Sequence, residues 1–376
     1  MPKPRLTPKT KKRFTERRPK DANLQAILLG ARERIEEWRR RWRLHRKMTA
    51  HSTPLEFSLR PHLALLIYTM GISLIGRGLC HLNGEPAYWG LWWSEDLGGI
   101  FAWLMSESWH AYTTDPEIEG FLHSAQSILM WLYLSIGCIA LYAPRRLSQA
   151  LRSHGRASSL DLKRGEVNRK TRGETSAQEQ RLADPPSSSK LFSRLFIIAA
   201  LLQLLYLLCQ WISYNYYWAT LAEHAMQVAI PMTCVLMLPY TPQEWEKPAE
   251  LFLMFTLSLC FIGHGVYALD LLPLPADFVM MTMNILGVTE GSAHIILTLF
   301  GSLDLIAALL IWIPISELRR GAILYMIAWG ALTAIARPLG QPSTTLLERL
   351  IVWGPEGLWR LSHALVPMWL WRRRYV

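Results

Sequence analysis

Two short frames place an ionisable side chain between glycines inside an apolar run. In "FIGHGVYAL" His264 lies between Gly263 and Gly265, and Arg77 has the same setting in "LIGRGLCHL". An imidazole can ligate haem iron or copper, share a proton, or hydrogen-bond a quinone or an oxyanion. A guanidinium can hold a sulfur oxyanion or a carboxylate through its planar fork. Each frame is therefore a candidate binding position, although the glycines also permit close helix packing without chemistry.

Other ionisable residues lie in long apolar runs, where charge is costly and indicates function. The candidates for a polar site are Arg77, His123, Glu223, His224, His264, Glu290, His294, Asp304, Arg337, Arg360 and His363. Most are predicted near the same end of their helices, so they could line one pocket or two related pockets. The catalytic residues stay unknown, and no H-x-E, H-x-x-x-H or thiolate spacing indicates a metal site.

Some of these residues suggest specific partners. His264 and His294 come from consecutive antiparallel helices and are predicted at similar depth, where they could ligate a metal or merely contact water or backbone carbonyls. Asp304 lies near the middle of its apolar run, and Arg337 or Arg360 is its predicted partner. That pair would either lock helices together or form part of a proton or substrate relay.

The elements that must position these residues are long apolar helices. The chain has 376 residues, of which 51% are hydrophobic. About eight apolar runs are long enough to cross a hydrocarbon core as helix. The predicted spans are 61–80, 121–142, 193–213, 219–238, 249–270, 291–313, 321–338 and 355–371. The predicted fold class is thus all-α, a polytopic integral membrane protein of two four-helix bundles.

Charge sets the predicted orientation. The first fifty residues contain 17 basic and 5 acidic side chains, whereas 81–120 has no Lys or Arg. By the positive-inside rule, both termini and the loop after the second span are cytoplasmic, and 81–120 faces outward. The predicted location is the bacterial cytoplasmic (inner) membrane, with insertion driven by the first span because no signal peptide is visible.

The domain boundaries follow from composition. Residues 1–22 are predicted to be a disordered basic tail. Residues 23–58 are predicted to form an amphipathic helix whose basic face binds an anionic leaflet, which we favour over binding to nucleic acid. The first two spans and their acidic, Trp-rich outward loop occupy 59–143, followed by a cytoplasmic linker at 144–190. The third and fourth spans lie in 191–240 and the second repeat in 241–376. Five single cysteines are interpreted as buried small hydrophobes.

Echoes between the halves indicate an internal duplication. The glycine frames recur in the first and fifth spans, and "EGFLH" at 119–123 matches "EGSAH" at 290–294. A fainter echo pairs "TLAEH" at 220–224 with "TLLER" at 345–349. Because each copy has an even number of spans, the two copies are predicted to be parallel in the membrane.

The second half resembles the DoxX-like group of bacterial membrane proteins. "FIGHGVYAL", "GSLDLIAALL", "WGALTAIARPLG" and the closing "ERL" carry the resemblance. The group includes the small membrane subunit of thiosulfate:quinone oxidoreductase. The resemblance implies a four-helix bundle and redox or quinone-linked chemistry, with catalysis residing either here or in a soluble redox partner.

Three functions stay open from the sequence. The first is a DoxX-like subunit for redox or quinone-linked chemistry at an outward-facing polar site, with quinone or haem as candidate cofactors. The second is a transporter or channel for a small anion, which would use Arg77 and Arg337. The third is a structural, membrane-organising protein whose polar groups only hold helices together.

Overall fold

The computed structural model describes residues 61–84, 86–93, 95–105, 108–168, 187–238, 246–341 and 345–375. Every regular element in these ranges is an α-helix. The helices are α1 (Pro61–Asn83), α2 (Ala87–Trp92), α3 (Glu95–Leu104), α4 (Trp109–Thr114), α5 (Pro116–Asn168), α6 (Ser187–Ser213), α7 (Trp218–Leu236), α8 (Glu246–Ala268), α9 (Ala276–Leu286), α10 (Glu290–Leu310), α11 (Ser316–Gly340), α12 (Leu346–Val352), α13 (Gly354–Arg360) and α14 (Ser362–Tyr375).

Within the described residues, six helices are long and apolar enough to cross a membrane, namely α1, α5, α6, α8, α10 and α11. Several of them expose large apolar side chains, such as Trp131 on α5, Leu205 on α6 and Ile295 on α10, the last 72% exposed. Such a surface is unfavourable in water and suits hydrocarbon. The prediction of a helical membrane protein is confirmed at this level.

The other two predicted spans also fall on helices. The span at 219–238 coincides with α7, while 355–371 is divided at Leu361 into α13 and α14. Both carry buried polar side chains, including Glu223 on α7 and His363 on α14. Both segments therefore place polar groups inside the bundle, as α1 does with Arg77 and α11 with Arg337.

The bundle core is apolar and continuous. α8 packs between α7 and α10, α1 packs against α7, α13 and α14, and α11 packs against α10, α13 and α14. Leu66, Phe196, Leu257 and Trp369 are among the side chains buried at these contacts. Their packing supplies the close van der Waals contact that holds membrane helices together.

One predicted segment differs from the structure, and two others lie outside the described residues. α5 continues as helix to Asn168 with Pro144 inside it, so the predicted linker at 144–190 begins as a helical extension rather than a loop. The predicted basic tail, 1–22, and amphipathic helix, 23–58, lie outside the described residues.

The predicted outward loop is partly helical. It folds into α2, α3 and α4, and Tyr112 is buried where its hydroxyl donates to the carbonyl oxygen of Trp92 at 3.3 Å. Trp109 stacks on Tyr112, whereas Trp103 is exposed. Indoles thus both pack this segment and lie on its surface.

One end of the bundle is closed by ion pairs between the first two turns of α8 and the last turn of α14. Arg373 Nε donates to Glu250 Oε2 at 2.7 Å, and Arg374 Nη2 lies 2.6 Å from Glu250 Oε1. Acidic side chains at a helix start and basic ones at a helix end also complement the helix dipoles. The contact fixes α8 and α14 antiparallel.

Candidate functional site

The opposite end of the bundle holds a buried polar cluster. Its members lie towards the C-terminal ends of α1, α8 and α11, in the N-terminal half of α7, on the short helix α13 and at the start of α14. They are Arg77, Glu223, His224, Gln227, Cys260, His264, Arg337, Glu356, Arg360 and His363, joined by Asp277 at the start of α9. Helices from both halves of the chain therefore build this end of the bundle.

An ion-pair network forms the frame of the site. Arg360 Nη1 donates to Glu223 Oε1 at 2.7 Å, and Arg360 Nε donates to Glu356 Oε1 at 3.1 Å. Arg337 Nη1 lies 3.3 Å from the same Glu356 oxygen and also pairs with Asp277. Alternating charges of this kind compensate the desolvation that isolated buried ions would suffer. The network ties α7, α9, α11 and α13 together.

A chain of imidazoles continues inward from this network. His264 Nε2 lies 3.7 Å from Glu223 Oε1 and 3.4 Å from His363 Nδ1. The other ring nitrogen of His363, Nε2, lies 3.2 Å from Gln227 Nε2. The Cys260 thiol belongs to the same group, and its sulfur and the two imidazoles have ligand atoms within 4.8 Å of one another. We call Cys260, His264 and His363 the His264 cluster.

Arg77 has a different environment. Its guanidinium carbon lies 3.4 Å from the ring centroid of Trp359 and 3.8 Å from that of Tyr206, a double cation–π contact. The side chain is buried, yet its Nε and Nη2 have no hydrogen-bond partner among the described residues. Buried donors in proteins are normally satisfied, so these two nitrogens need an explanation.

Further unpartnered polar atoms surround Arg77. His81 Nδ1 lies 2.8 Å from the Arg77 carbonyl oxygen, so it carries the proton and leaves Nε2 of a neutral ring as an acceptor. This Nε2 and the Tyr88 hydroxyl also lack partners in the described part of the chain, and the two rings have centroids 6.0 Å apart. We call Arg77, His81, Tyr88, Tyr206 and Trp359 the Arg77 site.

The first glycine frame brings backbones into direct contact. A Cβ on Gly76 would lie 2.5 Å from the Trp359 nitrogen and 2.7 Å from the Pro355 oxygen. A Cβ on Gly78 would lie 2.9 Å from the side chain of Leu134 on α5. Only glycine permits this approach, which holds α1 against α13 on one side and α5 on the other.

The second frame makes equivalent contacts on α8. A Cβ on Gly263 would lie 2.7 Å from the Glu223 nitrogen and 2.8 Å from the Ala219 oxygen, both on α7. A Cβ on Gly265 would lie 2.8 Å from the Gly301 oxygen and 3.0 Å from Leu305, both on α10. His264 is thereby held between α7 and α10 as Arg77 is held between α13 and α5.

Four predicted site residues do not join the cluster, and three of them lie towards the surface. His123 and Glu290 are exposed and His294 is half-exposed, and each histidine lies near the acid one turn earlier in its helix, at 3.7 Å from Glu119 and 4.0 Å from Glu290. His264 therefore meets His363 and not His294, because the imidazole of His294 lies on the exposed face of α10.

The predicted partner of Asp304 is also wrong. Asp304 is buried and accepts a hydrogen bond from the Tyr325 hydroxyl at 2.8 Å, whereas Arg337 and Arg360 pair with other acids. Asp304 therefore lies apart from the cluster, where a tyrosine satisfies it.

Sequence reasoning missed several members of the site. Glu356 precedes Arg360 by one helical turn, a spacing that predicts an ion pair once 354–360 is taken as a helix. Asp277 and Gln227 had no comparable signal, since only the packing of α9 and α14 brings them in. Cys260 lies one turn before His264, but its apolar surroundings favoured a structural interpretation.

Comparisons of the chain with protein-family models, with curated proteins and with solved structures found no match.

Proposed function

We propose that the chain is a DoxX-like membrane protein with eight membrane-crossing segments in two tandem four-helix copies. In this proposal α7 and the α13–α14 pair are the seventh and eighth membrane-crossing segments, beside the six apolar helices. The polar residues of α7, α13 and α14 face the site and not lipid. Both termini and the Arg373–Glu250 end lie in the cytoplasm of a bacterial cell, and the polar cluster faces outward across the inner membrane.

Matching contacts support the duplication. In the first helix of each copy, Gly76 corresponds to Gly263 and Gly78 to Gly265, with the same offset in residue number. In the second helix, His123 corresponds to His294 and Leu134 to Leu305, again with one constant offset. The contact of Gly78 with Leu134 is thus repeated by Gly265 with Leu305.

A second pair of contacts obeys the same shifts. Gly71, which approaches the Gly137 oxygen, corresponds to Ser258, and Gly137 corresponds to Ala308. Ser258 Oγ donates to the Ala308 oxygen at 3.2 Å. Two independent contacts between the first and second helix of each copy therefore correspond.

The fourth helix of each copy aligns through an internal proline. The shift that carries Pro231 to Pro367 carries Gln227 to His363, and these two residues are in contact. The same offset pairs Glu223 with Trp359. The backbone of Glu223 contacts Gly263, and the backbone of Trp359 contacts Gly76. This alignment replaces the fainter match of 220–224 with 345–349, because Thr345 begins the separate helix α12.

We infer that the Arg77 site binds the head group of a membrane quinone. The observation that carries this inference is the set of buried, unpartnered atoms there. Arg77 and Tyr88 offer donors to quinone carbonyls, while His81 Nε2 is an acceptor for the hydroxyl of a quinol. Reduction of a quinone to a quinol takes two electrons and two protons. A soluble redox partner would supply the electrons, and this chain the bound quinone.

The alternatives fit less of the structure. A fully deprotonated anion such as sulfate or thiosulfate would satisfy the Arg77 donors but has no proton for His81 Nε2. A transport path would need polar groups across the bundle, and Asp304, the buried acid nearest the middle of α10, is satisfied by Tyr325 instead. A purely structural cluster would leave few buried polar atoms without partners.

Quinone content tests this function. The full chain is extracted from membranes in native lipid with a styrene–maleic acid polymer, and quinone and phospholipid are quantified by mass spectrometry. Stoichiometric quinone above the bulk membrane ratio is expected in the wild type and is lost in Arg77→Gln. Arg146→Gln is the matched control, since Arg146 is exposed and lies over the Tyr142 ring at 5.0 Å.

A wild type with no quinone enrichment would overturn the proposal. Calorimetric titration with sulfite, thiosulfate and sulfate tests the second candidate function, an anion site at Arg77. Binding of one of these anions, with no quinone enrichment and with loss in Arg77→Gln, would instead support an anion site.

A further inference from the structure

The His264 cluster carries a separate inference. We infer that Cys260, His264 and His363 bind one late first-row transition-metal ion of the zinc or copper type. The inference depends on the geometry of the three side chains and not on quinone binding at the Arg77 site.

Distances between the ligand atoms suit a metal ion. A tetrahedral ion with nitrogen ligands at about 2.0–2.1 Å places neighbouring ligand atoms roughly 3.3 Å apart. His264 Nε2 and His363 Nδ1 are 3.4 Å apart, and the Cys260 sulfur completes a group whose ligand atoms lie within 4.8 Å. Small side-chain adjustments would bring all three onto one ion.

The ligand types define the class of metal. One thiolate and two imidazoles select zinc or copper over magnesium or calcium, which prefer oxygen. Three protein ligands also leave a fourth position open, as in catalytic zinc sites and in copper sites with a weak axial ligand. The Glu223 carboxylate, 3.7 Å from His264 Nε2, adds negative charge beside the ion.

Gln227 can fix the tautomer of His363 that metal binding requires. As placed, its amide nitrogen faces His363 Nε2 at 3.2 Å, while its Oε1 is buried with no partner among the described residues. Rotating the amide by half a turn puts Oε1 opposite an Nε2–H group, and the amide nitrogen then takes the buried place that has no described partner. The proton is then fixed on Nε2, and Nδ1 keeps its lone pair for a metal, a common arrangement around ligating histidines.

The corresponding positions in the first copy show what a site without these ligands contains. The shift that carries Arg77 to His264 carries Ser73 to Cys260, and Gln227 is the counterpart of His363. A hydroxyl, a guanidinium and an amide do not form a transition-metal site. In the second copy a bound cation would supply the positive charge that Arg77 supplies in the first.

Elemental analysis tests the metal site. The full chain is purified without a polyhistidine tag or chelator from cells supplied with zinc and copper, and metal per chain is measured by plasma mass spectrometry. Near-stoichiometric zinc or copper is expected, and the metal found identifies which ion the site selects. Cys260→Ser and His363→Gln should lose it, whereas Cys234→Ser, a buried cysteine of α7 outside the cluster, should retain it.

Two further measurements keep the result decisive if a variant folds poorly. Chelator-treated wild type, reloaded with Co(II), should show thiolate-to-metal charge-transfer absorption, and Gln227→Ala should weaken metal affinity by ~10–100-fold. A wild type that stays metal-free and takes up neither zinc, copper nor cobalt would overturn the inference. Retention of metal in Cys260→Ser would overturn it equally. Arg77→Gln should keep its metal, which separates this test from that of quinone binding.

Discussion

The Arg77 site and the His264 cluster share a backbone frame and differ in chemistry. In both, a glycine brings its helix onto the backbone of another, Gly76 onto α13 and Gly263 onto α7. At Arg77 the result is a guanidinium between two aromatic rings with unused donors. At His264 it is an imidazole beside a second imidazole and a thiol. The frame fixes where the central side chain lies, and the side chain determines what can bind.

Loss of the shared frame should have the largest effect. Gly76→Val and Gly263→Val each force a Cβ into backbone atoms that cannot move aside, and we expect a cost of about 3 kcal/mol or more in unfolding free energy. Fluorescence-detected size exclusion and thermal unfolding would report it. Gly291→Ala, where a Cβ meets no atom within 4 Å, is the control. Wild-type stability of both valine variants would show that the helices do not meet at these glycines.

The ion-pair network between the sites should rank second. Arg360→Met leaves Glu223 and Glu356 buried without this partner, at a cost of about 3–5 kcal/mol. Combining it with Glu223→Gln should recover part of that loss, as measured by denaturant or thermal unfolding. Arg145→Met, at an exposed position of α5, should be silent. Equal stability of Arg360→Met and wild type would refute the network.

Asp304 should matter less than its depth in the membrane suggests. Asp304→Asn can still accept from the Tyr325 hydroxyl, so the unfolding free energy should change by only about 1 kcal/mol. Quinone and metal content should both stay at the wild-type level. Loss of either ligand in a folded Asp304→Asn protein would place this residue in the site after all.

The smallest effects are expected at the exposed histidines. His123→Ala and His294→Ala each remove a contact with an acid one turn away, worth at most about 0.5 kcal/mol. Thermal unfolding and ligand content should match the wild type. A change in bound quinone or metal in either variant would extend the site to the exposed ends of α5 and α10.

The sequence predicts positions along the helices better than contacts between them. Apolar runs define the helices because length and hydropathy are local properties, and Arg77, Glu223, His264, Arg337, Arg360 and His363 stood out there as costly groups. Which of them meet depends on how each helix is rotated. Because of these rotations, Asp304 contacts Tyr325 and not an arginine, and His294 lies away from the site. The length of α5 was missed because its polar extension beyond Pro144 has the composition of a linker.

The most direct test of the account is a joint assay of quinone and metal in the same preparations of Arg77→Gln and His264→Gln. We predict that Arg77→Gln keeps its metal and loses quinone, and that His264→Gln does the reverse. That outcome would show two corresponding positions that hold different ligands. Loss of both ligands from either variant, with the protein folded and monodisperse, would contradict the account.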